Sequence, residues 1–161
     1  MNKRNLGKSD IEITPIGLGT WQFSEERSFQ RFAWKTIEPD VRTQIVNETV
    51  KSGVNWFDTA ELYGFGASER GIRDSLLELN QKHPDVLIAT KWNPIFRRAR
   101  SIGNTIDKRL ECLSPFPITL HQIHGPMSFA SRKNEMKEMA KLIEAKKIES
   151  VGVSNFNVNQ V

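Results

Sequence analysis

Residues 55–64 read NWFDTAELYG, and this stretch decides how the rest of the chain is interpreted. Its first residues form a short run of strand type that ends on Asp58. A turn-like segment then leads to Tyr63, the only tyrosine in the chain. An acid at the end of a strand and a tyrosine in the loop after it occupy the positions where a parallel barrel carries its reactive groups.

Other runs of strand type lie on both sides of this one, roughly 30–40 residues apart, which is the room that a strand and its crossover helix need. Amphipathic helical patterns fill the intervals, and such alternation predicts βα units that form a parallel sheet. We predict five parallel strands with their helices on one side of the sheet. The predicted strands are Ile16–Thr20, Asn55–Asp58, Val86–Lys91, Ile118–His124 and Ser150–Ser154.

Four helices are predicted between these strands from apolar residues that recur at helical spacing. The first runs from about Val41 to Lys51, and Gly53 is placed to end it. The inward-facing residues of the four helices are predicted as Val41, Ile45, Val46 and Val50, then Ile72, Leu76 and Leu79 after Ser68, then Ile102, Ile106 and Leu110 after Ser101, and finally Met136, Met139 and Ile143.

Ahead of the first strand, Lys3–Leu6 and Ile11–Thr14 flank a turn-like segment and predict a small hairpin that caps the bottom of a barrel. The expected fold is therefore α/β, of the (β/α)₈ TIM-barrel type. A complete barrel of this type takes about 250 residues. We therefore expect residues 1–161 to form one partial barrel with the first five βα units, truncated after the fifth strand.

Composition excludes several classes of protein. Apolar residues make up 38% and charged residues 26% of the 161 residues, which is typical of a globular domain. No apolar run has the roughly 18 residues of a membrane span, and no signal-like segment follows Met1, so we expect a cytoplasmic protein that does not enter a membrane. We expect no metal site and assign no chemistry to the single cysteine, Cys112.

The net charge of +4 gives little reason to expect nucleic-acid binding. The basic stretch Lys133–Lys147 is interleaved with Glu135, Glu138 and Glu144, a pattern that favours ion pairing on an exposed helix. The arginines at positions 97, 98 and 100 have two interpretations. They form a solvated surface, or they contact an anionic substrate or a cofactor phosphate.

Four residues fall where the carboxyl ends of strands meet: Asp58, Tyr63, Lys91 and His124. Each has an ordinary structural explanation when considered alone. The aspartate can hydrogen-bond a turn, and the lysine can lie in solvent at the end of a strand. The histidine can be hydrogen-bonded within its loop, and the tyrosine can pack against the rim of the barrel. Together they predict one catalytic pocket, because equivalent strand ends converge in a parallel barrel. His121 is interpreted as a packing residue that faces the helices.

Five motifs in this order resemble the aldo-keto reductase family, and together they span nearly the whole chain. The motifs are GLGTW at 17–21, NWFDTAELYG at 55–64, TK at 90–91, QIHGP at 122–126 and GVSNF at 152–156. The opening segment is similar to that of bacterial-type members related to potassium-channel β-subunits.

The resemblance implies an NADPH-dependent oxidoreductase that reduces aldehydes or ketones to alcohols by hydride transfer. The family's catalytic tetrad maps onto Asp58, Tyr63, Lys91 and His124. Tyr63 would be the general acid, with its pKa lowered by the ammonium of Lys91, and Asp58 would hold that ammonium in place. His124 would orient the substrate carbonyl and support the developing negative charge.

By the same resemblance, Thr20 and Trp21 lie beside the nicotinamide, Asp58 lies near its ribose, and Ser154 and Asn155 bind its carboxamide. The expected partner is a small carbonyl substrate. The loops that hold the cofactor phosphates in this family come from later strands, and the sequence contains none of them. An alternative is a catalytically incomplete half-barrel that acts as a binding or assembly module and self-associates through exposed strand edges.

Overall fold

The structure is a computed structural model that describes residues 1–24, 37–82 and 85–161. Within these ranges it has two sheets, a small antiparallel hairpin and a five-stranded parallel sheet. The strands are β1 (Arg4–Asn5), β2 (Glu12–Ile13), β3 (Leu18–Gly19), β4 (Trp56–Asp58), β5 (Leu87–Trp92), β6 (Ile118–Ile123) and β7 (Ile148–Val153). The helices are α1 (Pro39–Lys51), α2 (Ala67–Glu78), α3 (Ser101–Leu113) and α4 (Arg132–Glu144).

The large sheet has the strand order β3-β4-β5-β6-β7, and every neighbouring pair is parallel. Consecutive helices contact each other, α1 with α2, α2 with α3 and α3 with α4, so the helices form one layer. A doubly wound sheet would reverse its strand order and carry helices on both faces. The prediction of an α/β fold with five sequential barrel units is therefore confirmed.

The N-terminal hairpin forms as predicted, with Arg4 opposite Ile13. It is joined to the start of β4, because the side-chain oxygen of Asn55 accepts a hydrogen bond from the backbone N–H of Thr14 at 2.8 Å, and the Asn55 amide donates to the carbonyl of Glu12 at 2.9 Å. The hairpin thus covers the amino ends of the strands and leaves their carboxyl ends open.

The core lies between the helix layer and the sheet, and the predicted inward residues of α2 and α3 occupy it: Ile72, Leu76, Ile102 and Ile106 are fully buried. The prediction for the outer ends of two helices was wrong. Ile143 is 37% exposed and Val41 is 45% exposed. In α4 the inward face follows Met139 and Leu142, three residues apart, so Ile143 turns toward solvent.

Helix α1 begins two residues earlier than predicted, because Pro39 stands at a helical start where its missing N–H costs nothing. Its end is as predicted. Gly53 follows with a φ of +79°, and its N–H donates to the carbonyl of Val50 at 2.9 Å.

Two glutamates are fully buried in the helix layer. Glu69 of α2 forms an ion pair with Arg109 of α3 at 2.5 Å and accepts a hydrogen bond from the hydroxyl of Thr90 at 2.7 Å. Glu135 was predicted on an exposed helix face, and this was wrong. It is buried because Ser128 and Arg132 both donate to its carboxylate. In the described residues, no helix has the length and apolarity needed to cross a bilayer.

Candidate active site

The backbone brings three of the four predicted catalytic residues to one edge of the sheet. Asp58 is the last residue of β4 and pairs with Ala89 of β5, two residues before Lys91. His124 directly follows β6, and its N–H donates to the carbonyl of Trp92 at 3.1 Å. Because parallel strands share one direction, these positions lie together at the carboxyl edge, where the barrel is expected to carry its chemistry.

Lys91 and Asp58 form a close ion pair, with 2.6 Å between Nζ and Oδ2. Lys91 Nζ also donates to the carbonyl oxygen of Thr59 at 2.9 Å. A buried ammonium is costly unless such partners compensate for its lost hydration. The two acceptors therefore replace part of that hydration and fix the direction of the lysine side chain.

Tyr63 joins this pair from the loop after β4. Its ring lies 5.1 Å from Lys91 Nζ and 5.5 Å from the His124 ring, which meets it edge to face. The Trp21 ring also stacks with it, at a centroid distance of 6.1 Å. The structure therefore brings all four predicted catalytic residues together in one cluster.

The predicted lowering of the Tyr63 pKa by Lys91 was wrong. Burial, followed by the negative charge of Asp58, raises the pKa of Tyr63 from 10.0 to about 12. The physical reason is that Asp58 sits against the lysine ammonium and opposes its field, while the partly buried site disfavours phenolate. Tyr63 is therefore a protonated phenol at neutral pH.

His124 is a neutral imidazole at neutral pH. Burial and then the Lys91 ammonium lower its pKa from 6.5 to about 4, and Glu61 partly opposes them. Its Nδ1 atom is buried and has no hydrogen-bond partner in the described part of the chain. A neutral imidazole carries one N–H donor and one free nitrogen, so it can donate to a carbonyl oxygen without bringing a positive charge.

Thr20 and Trp21 have different surroundings. Thr20 is fully buried, where its hydroxyl donates to the Asp58 carbonyl at 3.0 Å and lies 2.9 Å from the hydroxyl of Ser68. Ser68 in turn accepts from Thr59 and donates to the Thr20 carbonyl. Trp21 is 44% exposed beside Tyr63. Thr20 thus supports the strand end that carries Asp58, and contact of Thr20 with a nicotinamide stays a prediction.

Ser154 and Asn155 follow β7 at the same edge of the sheet. The Asn155 amide donates to the carbonyl of His124 at 3.0 Å and to the Ser154 hydroxyl at 3.3 Å. Asn155 has a φ of +59°, a conformation that asparagine tolerates better than most residues. Its amide nitrogen donates both of these bonds, and an amide oxygen is an acceptor.

Glu61, two residues before Tyr63 in the NWFDTAELYG motif, was not predicted as a site residue. It is 7% exposed and accepts hydrogen bonds from the backbone N–H of Asn93 and from Arg97. The signal was its place between Asp58 and Tyr63, although nothing local reveals its partners. Arg97, interpreted as a solvated or anion-contacting residue, is instead paired with this glutamate. Of the residues described, no three His, Cys, Asp or Glu side chains form a group suited to a metal ion.

Comparison with known proteins places this geometry in a family. Residues 15–161 match the model of the aldo/keto reductase family. The chain is 30% identical to the aldo-keto reductase YhdN of Bacillus subtilis over its whole length and covers 49% of that protein.

Solved structures show the same fold. The glycerol dehydrogenase of Gluconobacter oxydans superposes with a TM-score of 0.78 at 28% identity, over 98% of this chain and 50% of the other. An aldo-keto reductase of Klebsiella pneumoniae in complex with NADPH superposes with a TM-score of 0.73 at 22% identity, over 92% and 48%, and shows likeness of fold alone. The chain thus spans about half the length of the relatives it matches. It belongs to the aldo/keto reductase family of oxidoreductases.

Proposed function

We propose that this chain carries the reaction centre of an NADPH-dependent carbonyl reductase that converts aldehydes or ketones to alcohols. The observation that supports the proposal most is the contact cluster of Asp58, Tyr63, Lys91 and His124 at the carboxyl edge of the sheet. A carbonyl that accepts a hydride becomes an alkoxide, and the alkoxide needs a proton donor and nearby partial positive charge. The cluster contains both.

Tyr63 is the proton donor in this proposal. With a pKa of about 12 it holds its proton in the resting site. An alkoxide has a basicity close to that of hydroxide, whose conjugate acid has a pKa of about 15.7, so transfer from the phenol becomes favourable once the hydride has arrived. The raised pKa therefore delays proton release until negative charge has formed on the substrate oxygen.

His124 and Lys91 stabilise charge in different ways. The neutral imidazole of His124 donates an N–H to the substrate oxygen and orients it toward Tyr63, which lies against its ring edge. The Lys91 ammonium, held by Asp58 and Thr59, lies 5.1 Å from the Tyr63 ring and stabilises the phenolate that remains after proton transfer. Asp58 acts as a positioning residue for the ammonium.

The residues at this edge fit a nicotinamide. Trp21 offers an exposed aromatic face beside Tyr63, and the Ser154 hydroxyl and the Asn155 side-chain oxygen offer a donor and an acceptor to a carboxamide. NADPH, when bound, supplies the hydride. Trp21, Ser154 and Asn155 would hold its nicotinamide end, and Asp58 lies near enough to the same edge to meet its ribose.

The test is the oxidation of NADPH, followed by absorbance, with a generic aldehyde and the purified protein, beside a sedimentation measurement of mass. Turnover that is lost in Lys91→Met and kept in Lys51→Met would support the proposal. Lys51 is the matched control, because it also pairs with a carboxylate, Glu48, but on the exposed surface of α1. Equal turnover in the two variants would exclude Lys91 from the reaction.

A protein without turnover that sediments as a complex would favour the assembly alternative. The edges of the parallel sheet are β3 and β7 in the described residues, and Val151 of β7 is 42% exposed. Sedimentation of the parent as a single chain, together with turnover, would remove that alternative.

A further inference from the structure

Glu61 has more polar contacts than a surface glutamate needs. Its Oε2 accepts from the N–H of Asn93 at 2.9 Å, and Arg97 Nη1 lies 2.7 and 2.9 Å from its two oxygens. Its own backbone N–H donates to the carbonyl of Lys91 at 3.1 Å. A buried carboxylate is tolerated only where such donors replace water, so this pairing is specific to the folded site.

Arg97 continues the connection to a third loop. Its carbonyl accepts the N–H of Phe129 at 2.9 Å, and the ring of Phe129 lies 5.9 Å from that of Phe96. Glu61, Arg97 and Phe129 therefore link, in series, the loops that follow β4, β5 and β6. These are residues 59–63, 93–100 and 124–131, called here the three rim loops.

The sheet ladder alone does not position Tyr63. The last backbone bond between the first rim loop and β5 joins Glu61 to Lys91, and Tyr63 lies beyond it, in a turn where its N–H donates to the Ala60 carbonyl. Lys91 and His124 are fixed within or directly after strands. Tyr63 depends on the orientation of its turn, which is held by the Glu61 side chain on one side and by the N–H of Ser68, which donates to the Tyr63 carbonyl at 3.1 Å, on the other.

We propose that Glu61 and Arg97 form a positioning clamp that holds Tyr63 at its distance from His124. The effect of the clamp on catalysis rests on the proposed function, whereas the clamp itself rests on the contacts of Glu61 and Arg97. Glu61 also acts on His124 by charge, since it opposes the lowering of the His124 pKa by Lys91.

The test compares Glu61→Gln, Arg97→Met and Arg97→Lys with the parent by NMR of the full chain. Tyr63 is the only tyrosine, so its ring signals are assigned directly. We expect the nuclear Overhauser effect between the Tyr63 and His124 rings to weaken at least about twofold in Glu61→Gln and Arg97→Met, because its intensity falls steeply as the ring contact lengthens from its present 5.5 Å. Arg97→Lys, which keeps the charge but not the planar fork, should recover part of it.

Two controls separate positioning from general damage. Glu138→Gln breaks an exposed pair with Lys141 on α4 and should leave the ring contact unchanged. The His124 titration, which responds to the charges of Lys91 and Glu61, should move to lower pH in Glu61→Gln and stay in place in Glu138→Gln. An unchanged ring contact and titration in both Glu61→Gln and Arg97→Met, with the fold intact, would overturn the clamp.

Turnover gives a separate measurement. In an active parent, Glu61→Gln should lower kcat about 10- to 100-fold with little change in KM, as expected when a reacting group is misplaced by about 1 Å. A parent without turnover would count against the proposed function only, because the NMR comparison decides the clamp without it.

Discussion

Strand β5 contacts two ion pairs, one on each face of the sheet. Thr90 and Lys91 are consecutive, so their side chains point in opposite directions. The Lys91 side chain lies on the face away from the helices and pairs with Asp58, whose side chain is 29% exposed. Thr90 faces the helices and supports Glu69, which pairs with Arg109 where both side chains are 3% exposed or less. The same kind of contact is therefore accessible to a ligand on one face and enclosed on the other.

The enclosed pair shows what burial costs. Burial raises the pKa of Glu69 from 4.5 to about 6 despite the adjacent Arg109 guanidinium. Enclosed ion pairs hold a structure together only while both partners are present, whereas a partly open pair can exchange a lost partner for water. We therefore expect the Glu69 pair to serve stability and the Asp58 pair to serve chemistry.

Loss of one partner of the enclosed pair should have the largest effect. Arg109→Met should lower the free energy of unfolding by about 3–5 kcal/mol, because it leaves the Glu69 carboxylate buried and unpaired. Lys91→Met should cost clearly less, since Asp58 can be hydrated at the rim. Denaturant unfolding of both variants measures the difference. Equal losses would show that the two pairs are energetically alike.

At Tyr63, which lies against the Asp58–Lys91 pair, the effect should appear in turnover instead of in stability. In an active form of the protein, Tyr63→Phe should lower turnover by about 10²- to 10⁴-fold, the range for a lost general acid, and leave NADPH binding and stability near the parent values. Steady-state kinetics and a fluorescence titration with NADPH provide the measurements. Near-normal turnover would remove Tyr63 as the acid.

A fall in pH should lower the free energy of unfolding through His121, which lies beside Arg109 and Thr90 on the helix-facing side of the sheet. Burial lowers its pKa from 6.5 to about 4. As pH falls, the unfolded state takes up a proton first, so His121 should reduce the free energy of unfolding by about 3 kcal/mol between pH 6.5 and 4.

The control for this pH effect is His121→Leu, which should show a smaller loss over the same range. Glu69 acts in the opposite direction. Its raised pKa adds stability as pH falls from about 6 to 4.5. This contribution is present in the parent and in His121→Leu, so the difference between their two stability curves isolates His121. Parallel curves would contradict the assignment.

The smallest effect should come from a single hydroxyl. Thr90→Val removes the bond to Glu69 and should cost about 1–2 kcal/mol of unfolding free energy. Thr119→Val on β6 is the matched control, because the buried Thr119 hydroxyl has no partner in the described part of the chain. We expect Thr119→Val to be neutral or slightly stabilising. A loss at Thr119 as large as at Thr90 would show that the bond to Glu69 carries no special weight.

Sequence patterns predicted what depends on local periodicity and strand direction. The order of the strands, their shared carboxyl edge and the meeting of Tyr63 with His124 all follow from alternating strands and helices. Sequence could not predict the buried glutamates. Glu69 is buried because of Arg109, 40 residues away in the chain, and Glu61 because of Arg97, 36 residues away.

The direction of the Tyr63 pKa shift was missed for a related reason. The sequence shows that Lys91 and Asp58 both reach the site, but the balance of their charges depends on the 2.6 Å contact between them and on the burial of the phenol. Distances of this kind arise only when the chain has folded.

The hydroxyl cluster of Thr20, Thr59 and Ser68 has a consequence for motion at the rim. It fastens the residue before Trp21 to the start of α2 across 48 positions of sequence, in addition to the bond from the Thr20 N–H to the Asp58 carbonyl. Displacement of this backbone would break several buried bonds at once, which is the cost of a subglobal opening rather than of a loop fluctuation. Fast motion at this part of the site is therefore confined to rotation of the Trp21 side chain, on the timescale of rotamer exchange.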